Sequence, residues 1–67
     1  MNDQEFNKIM EHIVASIKQG GYEPYDQLYG YVETGEDCYI TRTGNARELI
    51  KSLDKNRVKA YVLLMKK

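Results

Sequence analysis

Between Phe6 and Ile17 the residues Phe6, Ile9, Met10, Ile13, Val14 and Ile17 recur at i, i+3, i+4, i+7, i+8 and i+11. One apolar stripe at helical period forces the start of the chain into an amphipathic helix with a face to bury. Asn2 or Asp3 can cap that helix, with acids in its first turn. Gly20 and Gly21 end it, because glycine takes the left-handed cap without steric cost. His12 falls on the polar side and reads as a solvated surface residue.

The stripe needs covering, and little chain is available. Sixty-seven residues make one domain. A chain this small buries only about 60% of its unfolded surface, so a monomer is marginal. No staple compensates, since the chain has one cysteine, Cys38, and one histidine. No metal and no cofactor is expected. Cys38 fits a reducing compartment as a small, partly buried side chain. A second copy is the remaining way to enlarge the core, so a homodimer is expected. No apolar run reaches about 18 residues, so no membrane span is expected. The acidic start, Met1 to Glu5, lacks the features of a signal peptide, which points to the cytoplasm.

Three further helices complete an all-α reading. Pro24 opens the second, where its missing N–H costs nothing. Tyr25, Leu28, Tyr31 and Val32 form its stripe, and Gly35 is its C-terminal cap. Gly30 inside this helix suggests that another backbone approaches closely. Glu36-Asp37-Cys38 turns the chain with its acids in solvent, and Tyr39-Ile40-Thr41 is at most a very short extended segment. Thr43, Gly44 or Asn45 starts helix three, and Asn45 with Glu48 has the spacing of a capping box. Ala46, Leu49, Ile50 and Leu53 form its core face. Asp54 can cap helix four, on which Val58, Tyr61, Val62 and Met65 share one face. Leu63 points away and Leu64 sits between, so this helix wants a second partner. That makes Leu63 and Leu64 the candidate dimer interface. A strand is the rival reading for residues 60–65, because a short apolar run is ambiguous by periodicity.

The net charge of zero hides an asymmetry. Residues 1–41 hold two lysines against eight acids, a net of −6, and residues 42–67 hold eight bases against Glu48 and Asp54, a net of +6. A basic second half could bind nucleic acid. The ordinary explanation is that the halves attract each other, and it is preferred because nonspecific nucleic-acid binders are usually basic throughout.

No catalytic arrangement emerges. Ser16 and Ser52 lack a histidine or lysine partner, and Gly30, Gly35 and Gly44 do not form a phosphate loop. The stretch from Gly21 to Arg47 holds five of the six tyrosines, the only proline and four of the five glycines. Tyrosines can line a binding surface, but more often they edge a small core with the ring buried and the hydroxyl wet.

The motif Gly21-Tyr22-Glu23-Pro24, Gln27, Gly30-Tyr31-Val32, Gly35-Glu36, Tyr39-Ile40-Thr41, Ala46-Arg47 and Ile50 resembles the IreB family of small bacterial regulatory phosphoproteins. In that family the stretch runs Gly-Tyr-x-Pro-x-x-Gln-x-x-Gly-Tyr, a Gly-Asp turn, Tyr-Ile, then Asn-Ala-Arg. The resemblance implies a cytoplasmic, non-enzymatic regulator and a helical homodimer. It also implies a membrane Ser/Thr kinase with extracellular PASTA repeats as a partner, and a negative role in intrinsic cephalosporin resistance, a cell-envelope stress response. An unknown protein partner is implied as well; nucleic acid and membrane are not. The family's N-terminal arm carries phosphorylated threonines, but residues 1–15 here contain no serine or threonine. The candidate acceptors are therefore Thr43 and Thr41. Thr43, if it caps helix three, would gain from the helix dipole and from Arg42 and Arg47. Thr34, between Glu33 and Glu36, would be repelled.

Overall fold

The computed structural model describes residues 2–65 and contains four α-helices, with no strand among them. Helix α1 spans Asp3–Gln19, α2 Pro24–Thr34, α3 Ala46–Lys51 and α4 Lys55–Met65. Two single 3-10 turns, Asp37–Tyr39 and Thr43–Asn45, carry the chain from α2 to α3. Residues 60–65 are helical, so the strand alternative falls.

The helix ends follow local chemistry. Asn2 Oδ1 accepts from the Glu5 backbone N–H at 2.8 Å, which satisfies a donor that has no partner inside the helix. Glu23 caps α2 through the Tyr25 N–H, and Pro24 takes the first helical position. Gly35 closes α2 in the left-handed region at φ 77°, its N–H donating to the Tyr31 carbonyl at 2.7 Å. Asp54 Oδ1 accepts from the Asn56 N–H at 2.7 Å and starts α4. Helix α3 departs from expectation. Asn45 stands at its N-cap in the left-handed region at φ 63° and makes no side-chain cap bond, so no capping box with Glu48 forms. Thr43 does not cap α3 either; it opens the 3-10 turn before it.

Packing pairs the helices. Helix α1 lies against α3 and the second 3-10 turn, while α2 lies against α4 and the first. Phe6, Met10, Ile13 and Ile17 of α1 meet Leu28, Tyr31, Ile40, Ala46, Ile50, Leu53, Val58 and Val62 in one buried cluster. Ile9, Val14, Tyr25, Val32, Leu49, Tyr61 and Met65 pack around it half-buried. The four stripes read from the sequence are therefore the core. Phe6 and Tyr61 meet edge to face at 6.1 Å and bring α4 against the start of α1.

The segment after α2 differs more. Tyr39 belongs to a 3-10 turn rather than an extended piece, and Ile40 after it is extended, at φ −103° and ψ 129°. Cys38 is exposed, not partly buried. What approaches Gly30 is an aromatic ring rather than a backbone. A Cβ there would lie 2.6 Å from Tyr39 Cδ1 and 3.0 Å from its Cγ. Gly30→Leu should lower the melting temperature by about 5 °C, the ring displacement outweighing a helix-propensity gain of about 1 kcal/mol. In a Tyr39→Ala background the same change should be neutral or stabilising. Thermal melts of the single and double variants check this, and a Gly30→Leu protein that melts like its parent removes the close approach.

Candidate functional site

Four residues of the motif, Gln27, Ile40, Thr41 and Arg47, meet at the loop between α2 and α3. Gln27, on α2, accepts from the Thr41 backbone N–H through Oε1 at 2.9 Å. Arg47, on α3, donates from Nε to the Ile40 carbonyl at 2.9 Å. Ile40 is fully buried between them. A buried chain segment without sheet partners must have its polar groups met by side chains. Gln27 and Arg47 do this, and so clasp the loop from both sides.

Most other motif residues shape the backbone or the core. Gly21 turns the chain after α1 at φ 85°. Pro24 is buried at the start of α2, and Tyr31 and Ala46 are in the core. Gly30 gives the Tyr39 ring its seat. The tyrosines divide. Tyr31 is buried, Tyr25 and Tyr61 are half-buried, and Tyr22, Tyr29 and Tyr39 are exposed. The core-edge reading fits Tyr25 and Tyr61, while Tyr31 lies in the core itself. Tyr25 and Tyr29, one turn apart, stack at 5.6 Å.

The candidate phosphoacceptors sit inside this clasp. Thr41 Oγ1 and Thr43 Oγ1 share a hydrogen bond of 3.1 Å, and both residues are part-buried. The Thr43 hydroxyl also faces the end of α1, 2.9 Å from where a Cβ on Gly20 would sit. Arg42 and Arg47 instead line a cleft of about 340 Å³ with Asp37, Asn45, Glu48 and Lys51. Ser16 is buried, and Thr34 Oγ1 donates to the Gly30 carbonyl at 2.7 Å.

Two contacts in this region were not foreseen. His12 is exposed but not idle, since its Nε2 lies 3.0 Å from the Gly44 carbonyl. A carbonyl only accepts, so Nε2 carries the proton. Gly44 presses onto Ser16, one helical turn beyond His12. His12 and Ser16 share a helix face by their spacing of four, which was the available signal. Nothing local says what docks there.

Lys51 joins Asp37 at 2.9 Å and Glu48 at 3.5 Å. The hydrogen bond from Lys51 holds the Asp37 carboxyl below its ordinary range, with help from the positive charges of Lys51 and Arg47. Asp37 in turn raises Lys51, with a smaller effect from Glu48. A carboxyl held down on folding stabilises above the ordinary carboxylate range, and that contribution is lost as pH falls through its folded pKa. For Lys51 the contribution is present below the ordinary lysine range and lost as pH rises through its raised value. Both side chains are solvent-exposed, so the effect is small and weakened by salt. Asp37→Asn should flatten part of the acid loss of stability seen in urea titrations between neutral and strongly acidic pH. An acid loss identical to that of the parent would contradict the pairing.

The charge asymmetry is used within the chain. Besides Lys51–Asp37, Arg57 of α4 joins Asp3 of α1 at 2.6 Å, and its guanidinium lies 4.4 Å from the Phe6 ring centre. Both ion pairs join the basic half to the acidic half. Lys66 and Lys67, two of the eight bases, lie outside the described residues.

Helix α4 keeps an apolar outer side. Leu63 is 53% exposed and Leu64 64%. Leu64 also borders a groove of about 320 Å³ with Asp3, Phe6, Asn7, Arg57, Ala60 and Tyr61. No described helix is long and apolar enough to cross a membrane.

A family described as IreB regulatory phosphoprotein matches residues 1–64, a span that includes the loop, its clasp, the first three helices and all of α4 but its last residue. With a match over nearly its whole length, this chain belongs to the IreB family of regulatory phosphoproteins.

Proposed function

We propose that this chain is a non-enzymatic cytoplasmic regulator that acts by binding proteins, as a homodimer, in signalling tied to a membrane Ser/Thr kinase and the cell-envelope stress response that sets cephalosporin resistance. Family membership supports the regulatory role. The observation that carries the mode of action is the exposed Leu63–Leu64 pair on α4. Adjacent large apolar residues on a small domain's last helix are the kind of surface that proteins use for contact. Nucleic-acid binding is the weaker reading, because Lys51 and Arg57 of the basic half are engaged by acids of the same chain.

The acceptor we propose is Thr43 or Thr41. A kinase needs an accessible hydroxyl on backbone it can extend. The loop that holds these two is free of α-helix, so extending it means opening their mutual hydrogen bond, the Gln27 and Arg47 clasp and one 3-10 turn rather than unwinding a helix. Ser16 is buried within α1, and Thr34 stands between two glutamates at a helix C-terminus, where a phosphate is repelled. Incubation with a PASTA-type kinase and ATP, followed by mass-spectrometric mapping, tests this. Phosphate on Thr43 or Thr41 is the expected result. Modification of Ser16, or of Thr34 alone, would overturn this choice of acceptor, and modification of no residue would overturn the link to the kinase.

A further inference from the structure

The cleft beside the loop holds three bases against two acids, and the bases are unequally engaged. Lys51 is taken up by Asp37 at 2.9 Å and Glu48 at 3.5 Å. Arg47 also lies near enough to Asp37 to help hold its carboxyl down. The Arg47 Nε is fixed on the Ile40 carbonyl at 2.9 Å, which pins the guanidinium without using its two terminal amino groups in any hydrogen bond among the described residues. Arg42 has no ion pair or side-chain hydrogen bond among the described residues. Asn45, between them in sequence, holds the left-handed region at φ 63° while its amide caps nothing. Asparagine enters that region more readily than other non-glycine residues, so the backbone here is settled without strain.

We propose that this cleft binds a phosphate monoester dianion, held by Arg42, Arg47 and the Asn45 amide. One guanidinium fork satisfies a carboxylate. Two forks and an amide suit a group with three terminal oxygens and close to two negative charges. Arg47 is already oriented by Ile40, so little side-chain freedom remains to be lost on binding. The same chemistry serves a phosphorylated side chain of a partner protein and free inorganic phosphate. The cleft does not depend on the α4 contact surface, so failure at either place leaves the other standing.

The test is a titration of the full-length ¹⁵N-labelled chain, followed by NMR at fixed near-physiological salt. The probes are inorganic phosphate, a short phosphothreonine peptide, the same peptide unphosphorylated, and a single-stranded RNA. Saturable shifts of the Arg47 Nε–H and the Asn45 side-chain amide are expected with the phosphopeptide or with phosphate. Tighter binding of the phosphopeptide assigns a phosphoprotein partner, and equal binding assigns the free ion. Arg42→Gln removes an exposed side chain and leaves the clasp intact; it should weaken binding about tenfold. Asn45→Gly suits the left-handed backbone, deletes the amide and should also weaken binding. The proposal is overturned by shifts that do not saturate, by equal binding of the unphosphorylated peptide, by RNA binding more tightly than the phosphopeptide, or by affinity unchanged in Arg42→Gln.

Discussion

Gly44→Ala should lower the melting temperature by about 15 °C. Two penalties add. Gly44 lies in the left-handed region at φ 59°, where a side chain costs about 1–2 kcal/mol. An added Cβ would also lie 2.9 Å from Ser16 Cβ and closer still to its hydroxyl. Ser16 is buried on α1, and overpacking against a buried side chain costs about 1–3 kcal/mol. Together these reach about 3 kcal/mol, at roughly 4–8 °C per kcal/mol for a domain of this size. The His12–Gly44 hydrogen bond should loosen with them. Two controls separate the penalties. Asn45→Gly, one residue on, meets only the backbone preference and should leave stability within about 0.5 kcal/mol of the parent or raise it. Ser16→Gly in the Gly44→Ala background removes the obstacle, so the pair should be less destabilised than the sum of the singles. Thermal melts that place Gly44→Ala within about 3 °C of the parent would show that the loop does not dock on α1 as described.

This docking is also where sequence reasoning stopped. The helices were legible because their signals are local. The α1 stripe, the Asn2 and Asp54 caps, Pro24 at a helix start and Gly35 at a helix end each depend on a few neighbouring residues. The loop from residue 36 to residue 45 obeys longer-range rules. Tyr39 is drawn into a 3-10 turn by its seat on Gly30, nine residues earlier. Asn45 gives up the cap that its composition suggested because the backbone must lay Gly44 on Ser16. His12 looked like an ordinary solvated residue, since the carbonyl it meets lies thirty-two positions away. Of the candidate site, Gln27 and Arg47 were visible only as members of a recurring pattern. The reason for their spacing, two side chains that meet the backbone of Ile40 and Thr41, appears only once α2 and α3 are brought to either side of the loop.

The second large effect concerns the division of apolar residues between core and contact surface. Ile13 is completely buried among the α1 stripe. Ile13→Ala should cost about 2–5 kcal/mol, from lost transfer energy and the cavity left behind. A domain of this length has only roughly 3–10 kcal/mol in total, so the change should remove a large share of its stability. Leu63 is of similar size but 53% exposed. Leu63→Ala should change the stability of an isolated chain by no more than about 0.5 kcal/mol. If α4 meets a second copy, the variant should also make unfolding less sensitive to protein concentration, because association adds to apparent stability by mass action and the variant weakens it. Urea titrations at several protein concentrations separate the two roles. Equal losses from Ile13→Ala and Leu63→Ala would mean that Leu63 supports the fold rather than a contact.

The claim that α4 presents a protein-binding surface, first of all to another copy of the chain, is tested most directly by light scattering at micromolar concentration on the parent and on Leu63→Asp. The expected result is a parent with twice the mass of one chain and a folded, helical variant with the mass of one. A parent that stays at the mass of one chain across the micromolar range would contradict the claim.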